Sequence, residues 1–218
     1  MTKKDLDKIL ENHKLWLNNN EDGERANFSY ADLRGVDLKY ADLRKADLSC
    51  ADLTYAVLKS ADLRGANLNH ADLTNANLRY ADLRGANLSY AKLKNTIFID
   101  SDARNADLED ANLQNAILKN ADLSNANFTG TNLKGAVLNN TNFKNTNIDF
   151  SCLPLWCGSL SAKFDDKQLA QIAYHLVRAG LNSENASIET KEELSKLIDF
   201  ANKCHRADEC GKILKEDA

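Results

Sequence analysis

Ala61-Asp62-Leu63-Arg64-Gly65, Ala66-Asn67-Leu68-Asn69-His70 and Ala71-Asp72-Leu73-Thr74-Asn75 follow one another without a gap. The same five-residue frame runs back to Ala26-Asn27-Phe28 and forward to Thr146-Asn147-Ile148, so residues 26–150 hold 25 in-register units. A period of five suits neither regular secondary structure. On an α-helix each step of five would rotate the central residue by about 140°, spreading the leucines around every side. In a flat strand the odd step would send successive leucines to opposite faces. The chain must therefore turn once per unit, with the central residue and the small residue two before it pointing inward together. Such a unit cannot bury its apolar side alone, and stacking of successive turns into a solenoid supplies the missing cover.

The A(D/N)LXX register of Ala41-Asp42-Leu43-Arg44-Lys45 and Ala71-Asp72-Leu73-Thr74-Asn75 resembles that of the pentapeptide-repeat family. The resemblance implies an all-β solenoid, a right-handed quadrilateral β-helix with four units per coil and about six coils. With a rise of about 4.8 Å per coil, the rod would be about 29 Å long. It also implies an interior built from the preceding alanines and from central residues such as Phe28, Leu63, Leu83, Phe98, Phe128 and Phe143. Ala103 stands at a central position where the other units carry Leu, Phe or Ile, so that its coil either holds a void or is filled by a neighbour, with Phe98 the bulky residue one unit earlier.

The outward positions support a 20-residue coil. Arg44, Arg64, Arg84 and Arg104 recur at that spacing, each two residues after an Asp. Stacked guanidiniums would repel, and interleaved carboxylates offset the repulsion. A second column is unusual: Val57, Ile97, Ile117 and Val137 occupy the Asp/Asn position, with Ile99 beside them. Single surface aliphatics are ordinary, but a file of them is a candidate docking strip for a protein partner or a second copy.

Some members of the family act as DNA mimics that bind type II topoisomerases, and the resemblance carries that alternative with it. Mimicry requires a long face of uncompensated negative charge. Residues 26–150 hold 15 Asp/Glu and 14 Lys/Arg, a net of −1, which argues against it. The column Asp32, Asp52, Asp72 is the best acidic stretch, limited by Arg34 and Lys92. Interleaving of acids and bases also argues against direct nucleic-acid binding.

Three segments follow from the patterning: residues 1–25 as an amphipathic capping helix, 26–150 as the solenoid, and 151–218 as a small C-terminal helical hairpin or cap. In the first, Leu6, Ile9, Leu10, His13, Trp16 and Leu17 fall at helical spacing and would lid the open first coil. In the last, Leu169, Ile172, Ala173, Leu176 and Val177 make one helical face, and Thr190-x-x-Glu193 opens a second. Pro154 marks the boundary.

Candidate chemistry is confined to that last segment. Cys152, Cys157, Cys204, Cys210, His175 and His205 could be assembled into a metal site, but C-x4-C and C-x5-C spacings are poor zinc motifs. Cys157 with His175 lacks a recognisable third group for nucleophilic catalysis. His70 reads as a surface residue. The expectation is a non-catalytic scaffold with no cofactor. With 43% hydrophobic residues, a net charge of −4, an odd number of cysteines and no long apolar run, a cytoplasmic protein without membrane attachment is expected.

Overall fold

The structure, a computed structural model, describes residues 1–148. The C-terminal helices expected over 151–218, with their cysteines and histidines, lie outside the described residues. Helix α1 (Lys3–Leu17) is followed by a coiled run in which residues at the second position of each unit pair in parallel with those 20 residues on, as in Asp42↔Asp62↔Asp82↔Asp102. Four units per coil therefore give four faces, headed by Asn27, Asp32, Asp37 and Asp42, and here termed first to fourth.

In a unit with Asp or Asn at its second position, all five N–H groups have destinations, as burial of a polar backbone demands. In the unit beginning at Ala61, Leu63 N–H donates to the Asp82 carbonyl (2.7 Å) and Gly65 N–H to Arg84 (3.0 Å), both one coil up. Asp62 N–H donates down to Ala41 (2.9 Å), and Ala61 N–H closes the preceding turn on Leu58 (3.0 Å). The fourth N–H, that of Arg64, is taken by the side chain of Asp62 (3.2 Å). Asp and Asn recur at the second position because a short carboxylate or amide can accept the N–H two residues on. The fifth residue always takes positive φ, near 60°, to turn the corner. Gly and Asn tolerate this best, yet Tyr occupies five of these corners: Tyr30, Tyr40, Tyr55, Tyr80 and Tyr90.

The interior is a column of leucines and phenylalanines closed by alanines. Leu63, Leu83, Phe98, Phe128 and Phe143 are fully enclosed, and Phe28 nearly so. Phe128 and Phe143 meet edge to face at 5.6 Å. Ala103 is equally enclosed. Where the inner alanine becomes threonine, the hydroxyl is satisfied without water: Thr96, Thr131 and Thr141 each donate at 2.8 Å to the carbonyl of Leu73, Leu108 and Leu118 respectively.

Helix α1 begins with a capping box, Thr2 Oγ1 accepting from Asp5 N–H while the Asp5 carboxylate accepts from Thr2 N–H. It stops where Asn19 turns left-handed and Asn20 N–H bonds back to the Leu15 carbonyl. The chain then passes so close to the helix at Gly23 that a methyl group there would overlap the backbone of Leu15 and Trp16. Of the apolar stripe only Leu6 and His13 are fully buried; Ile9, Leu10, Trp16 and Leu17 are half-buried. His13 stacks on Trp16 at 5.5 Å, and its Nδ1 accepts the Ala26 N–H at 3.0 Å, tying the helix to the first unit. The lid is partial. Ala31, Val36 and Ala41 of the first coil remain half-exposed, whereas Ala51, Ala56 and Ala61 above them are buried. A cavity of about 350 Å³ opens beside Leu6, Leu33 and Val36.

Candidate interaction face

The four faces share a backbone and differ in charge chemistry. On the fourth, each Arg chelates the Asp of its own unit: Arg44 bonds Asp42 through Nε (2.8 Å) and Nη2 (2.7 Å), and Arg84 and Arg104 repeat the fork on Asp82 and Asp102. Nε of Arg44, Arg64 and Arg84 also lies 3.6–3.7 Å from the Asp one coil up. The guanidinium of Arg44, hydrogen-bonded to Asp42, is the main cause of that carboxyl's lowered pKa. The face is a self-neutralised ladder. The acidic column of the second face is neutralised too, since Arg34 forks onto Asp32 and reaches Asp52 at 3.7 Å, and Lys92 lies 3.3 Å from Asp72.

Along the corner after the first face, Tyr30, Cys50, His70, Tyr90 and Asp110 form a file. The neighbouring Cys50 thiol raises the pKa of Tyr30, and the carboxylates of Asp110 and Glu109 raise that of Tyr90. His70, exposed, stacks on Tyr90 at 4.9 Å.

The third face departs from the rule. Its second-position column runs Asp37, Val57, Asn77, Ile97, Ile117 and Val137, each paired to the next. The structure thus brings Val57, Ile97, Ile117 and Val137 into one half-exposed file, with half-exposed Ile99 in the adjoining column. That adjoining column otherwise carries Lys39, Lys59, Arg79, Lys119 and Asn139. Lys39 pairs with Asp37 (3.2 Å) and Arg79 approaches Asp100 (3.7 Å), but Lys59 and Lys119 make no ion pair among the described residues. Tyr40 and Tyr80 border the face on one corner and Tyr55 on the other, 72%, 48% and 67% exposed. Lys59 and Arg79 lean on the Tyr80 ring, at 5.9 and 5.0 Å from its centre.

Replacing Asp by an aliphatic residue also removes the acceptor of the fourth N–H. From Ser29 to Lys144 that N–H lacks a protein acceptor among the described residues only at Lys59, Lys94, Ile99, Lys119 and Asn139, and all but Lys94 are on the third face. The linear pattern singles out the aliphatic residues; the freed donors and the strained tyrosines emerge only once the role of the second and fifth positions is known.

Among the described residues no three His, Cys, Asp or Glu side chains are grouped to hold a metal ion, and no helix is long and apolar enough to cross a membrane.

Comparison with the curated proteins finds no match. Among solved structures, HetL, a pentapeptide repeat protein involved in heterocyst differentiation regulation from the cyanobacterium Nostoc sp. strain PCC 7120, is 29% identical, with 65% of this chain and 71% of HetL covered and a TM-score of 0.36. Rfr23 from the cyanobacterium Cyanothece 51142 is 33% identical over 45% of this chain and 60% of its own, with a TM-score of 0.31. QnrB1, a plasmid-mediated fluoroquinolone resistance protein, is 20% identical over 70% and 85% of the two chains, with a TM-score of 0.41. At these scores none carries an argument about what this chain does. The sequence itself matches the family model for pentapeptide repeats (8 copies) over residues 26–65 and again over 51–89, and that for the pentapeptide repeat region over residues 71–148. Proteins of this family form right-handed β-helices. With the matches spanning residues 26–148, more than half of the chain, and a backbone that pairs at every twentieth residue over the same span, the chain belongs to the pentapeptide-repeat family.

Proposed function

We propose that this chain is a non-catalytic scaffold that holds a protein partner on its third face. The observation that carries the reading is the file Val57, Ile97, Ile117 and Val137, set where the other faces carry mainly Asp or Asn. Ile97, Ile117 and Val137 stand on consecutive coils at about 5 Å spacing and form a continuous strip, with Val57 set off from them by Asn77. A rigid rod presents such a strip without an ordering cost, which favours recognition over chemistry.

The test is capture of partners from native cell extract by the parent chain and by the Ile97→Asp/Ile99→Asp variant. Loss of specific partners with an unchanged melting curve supports the reading. If both proteins capture the same set and the parent sediments as a monomer at high concentration, the strip is repeat drift. The alternative, a DNA mimic acting on a type II topoisomerase, draws less support, because Arg and Lys neutralise the acidic files of the second and fourth faces. A gyrase supercoiling assay separates it from the scaffold reading.

A further inference from the structure

The third face combines a surplus of donors with a shortage of acceptors. The N–H groups of Lys59, Ile99 and Lys119 have no acceptor among the described residues, because Val57, Ile97 and Ile117 stand where a carboxylate or amide would accept them. The ammonium groups of Lys59 and Lys119 have no carboxylate partner there, and Arg79 Nε is buried without a hydrogen-bond partner. On the fourth face the same positions are saturated in cis by Asp. The group missing from the third face is thus a carboxylate.

Size narrows the occupant. A face about 29 Å long and three residues, or roughly 10 Å, wide offers about 300 Å², well below the ~800 Å² per partner of a standard interface between globular proteins. A second copy laid on this face would bury too little, and would also bring its own unpaired donors. An extended segment of about nine residues matches the length of the rod.

We propose that the third face docks an acidic, amphipathic segment of another protein, whose carboxylates take the acceptor positions that Asp or Asn fills elsewhere and pair with Lys59, Arg79 and Lys119. The segment's apolar side chains lie on Ile97, Ile99 and Ile117, and Tyr40 and Tyr80 wall one edge. The inference rests on the scaffold reading and specifies the chemistry of its partner.

The test uses the full chain and a fluorescent decapeptide of alternating Glu and Leu, with a Lys/Leu decapeptide and a 20-nucleotide oligothymidylate as controls. The acidic peptide is expected to bind in preference to both controls, more weakly as salt rises, and about tenfold more weakly to Lys59→Glu/Lys119→Glu. Ile97→Asp/Ile117→Asp, which supplies the acceptors in cis, is expected to abolish binding while melting no lower than the parent. Circular dichroism confirms that both variants fold. Peptide binding that survives the lysine reversals but is lost in the isoleucine variant overturns the acidic partner and leaves the scaffold strip standing. Tighter binding of the oligothymidylate, lost on the same reversals, overturns the proposal in favour of single-stranded nucleic acid. Loss of partner capture in Ile97→Asp/Ile99→Asp, with no acidic-peptide binding to the parent, overturns the proposal alone; no effect in either assay removes both readings.

Discussion

Leu83, Ala103 and the residues above and below them share one interior column of the fourth face, so truncation and enlargement there can be compared in one environment. Leu83 is fully enclosed, and Leu83→Ala should cost about 2–5 kcal/mol, the range for a buried leucine whose surroundings relax incompletely. Ala103 is a truncation the chain already carries. Ala103→Leu should therefore change stability by less, measured as the shift in denaturant midpoint; equally large destabilisation by both would show that the space around Ala103 is already closed. The inner threonines teach a related lesson. A hydroxyl at the alanine position survives full burial because it reaches a carbonyl, at 2.8 Å in Thr131. Thr131→Val keeps the shape and removes the donor, leaving the Leu108 carbonyl with the Ala111 N–H it already accepts, so a loss of about 1 kcal/mol in a thermal or denaturant melt is expected.

At the scale of the element, α1 is tied to the rod through His13. Burial holds its pKa below the ordinary 6.5, against the smaller upward pull of Asp42. A histidine that is neutral in the folded protein and protonates more readily in the unfolded chain makes stability rise with pH. Its contribution is complete above about pH 6.5 and is lost as pH falls below that, since protonation also removes Nδ1 as acceptor for Ala26 N–H. His13→Asn keeps an acceptor near the Nδ1 position and does not titrate. The parent should therefore lose more stability than His13→Asn between pH 7 and pH 5, followed by the denaturant midpoint at each pH; parallel curves would remove the histidine from this role. The helix was legible from the spacing of Leu6, Ile9, Leu10, His13, Trp16 and Leu17, all of which fall within Lys3–Leu17. The role of His13 was not, because its partner is a backbone N–H 13 residues away that only the first corner brings near.

The whole molecule is a stack whose period was legible because one backbone geometry repeats: inner positions admit only Ala, Thr, Leu or their like, and the second position wants an acceptor. Charge distribution was partly legible, as in the paired Arg and Asp of the fourth face. What the pattern could not convey is the loss of an acceptor at Val57 and Ile97, since that requires knowing where Asp62 Oδ1 points in an ordinary unit. The first coil shows the cost of ending a stack. Ala31, Val36 and Ala41 stay half-exposed even with α1 in place. Deleting residues 1–22 would bare Phe28 and the remaining edge, and end-to-end association is expected, seen as a rise in mass by light scattering. An unchanged mass and melting curve would remove α1 from the capping role.

Pairing at every twentieth residue also gives the rod a unit of permissible change. Excision of residues 66–85 removes one full circuit, and every later side chain keeps its compass bearing. Excision of residues 91–95 removes a quarter of a circuit. Thr96 then takes the place of Ala91, Ile97 comes to lie above Asp72 in place of Lys92, and Asp102 comes to lie above Asn77 in place of Ile97. Both shortened chains should still wind, because the inward positions are interchangeable. Only the first keeps Val57 on the same bearing as Ile97, Ile117 and Val137, and only it should bind what the parent binds. A surface of this kind can be lengthened or copied without loss of meaning only in whole circuits, while every smaller change scrambles which neighbours stand in line.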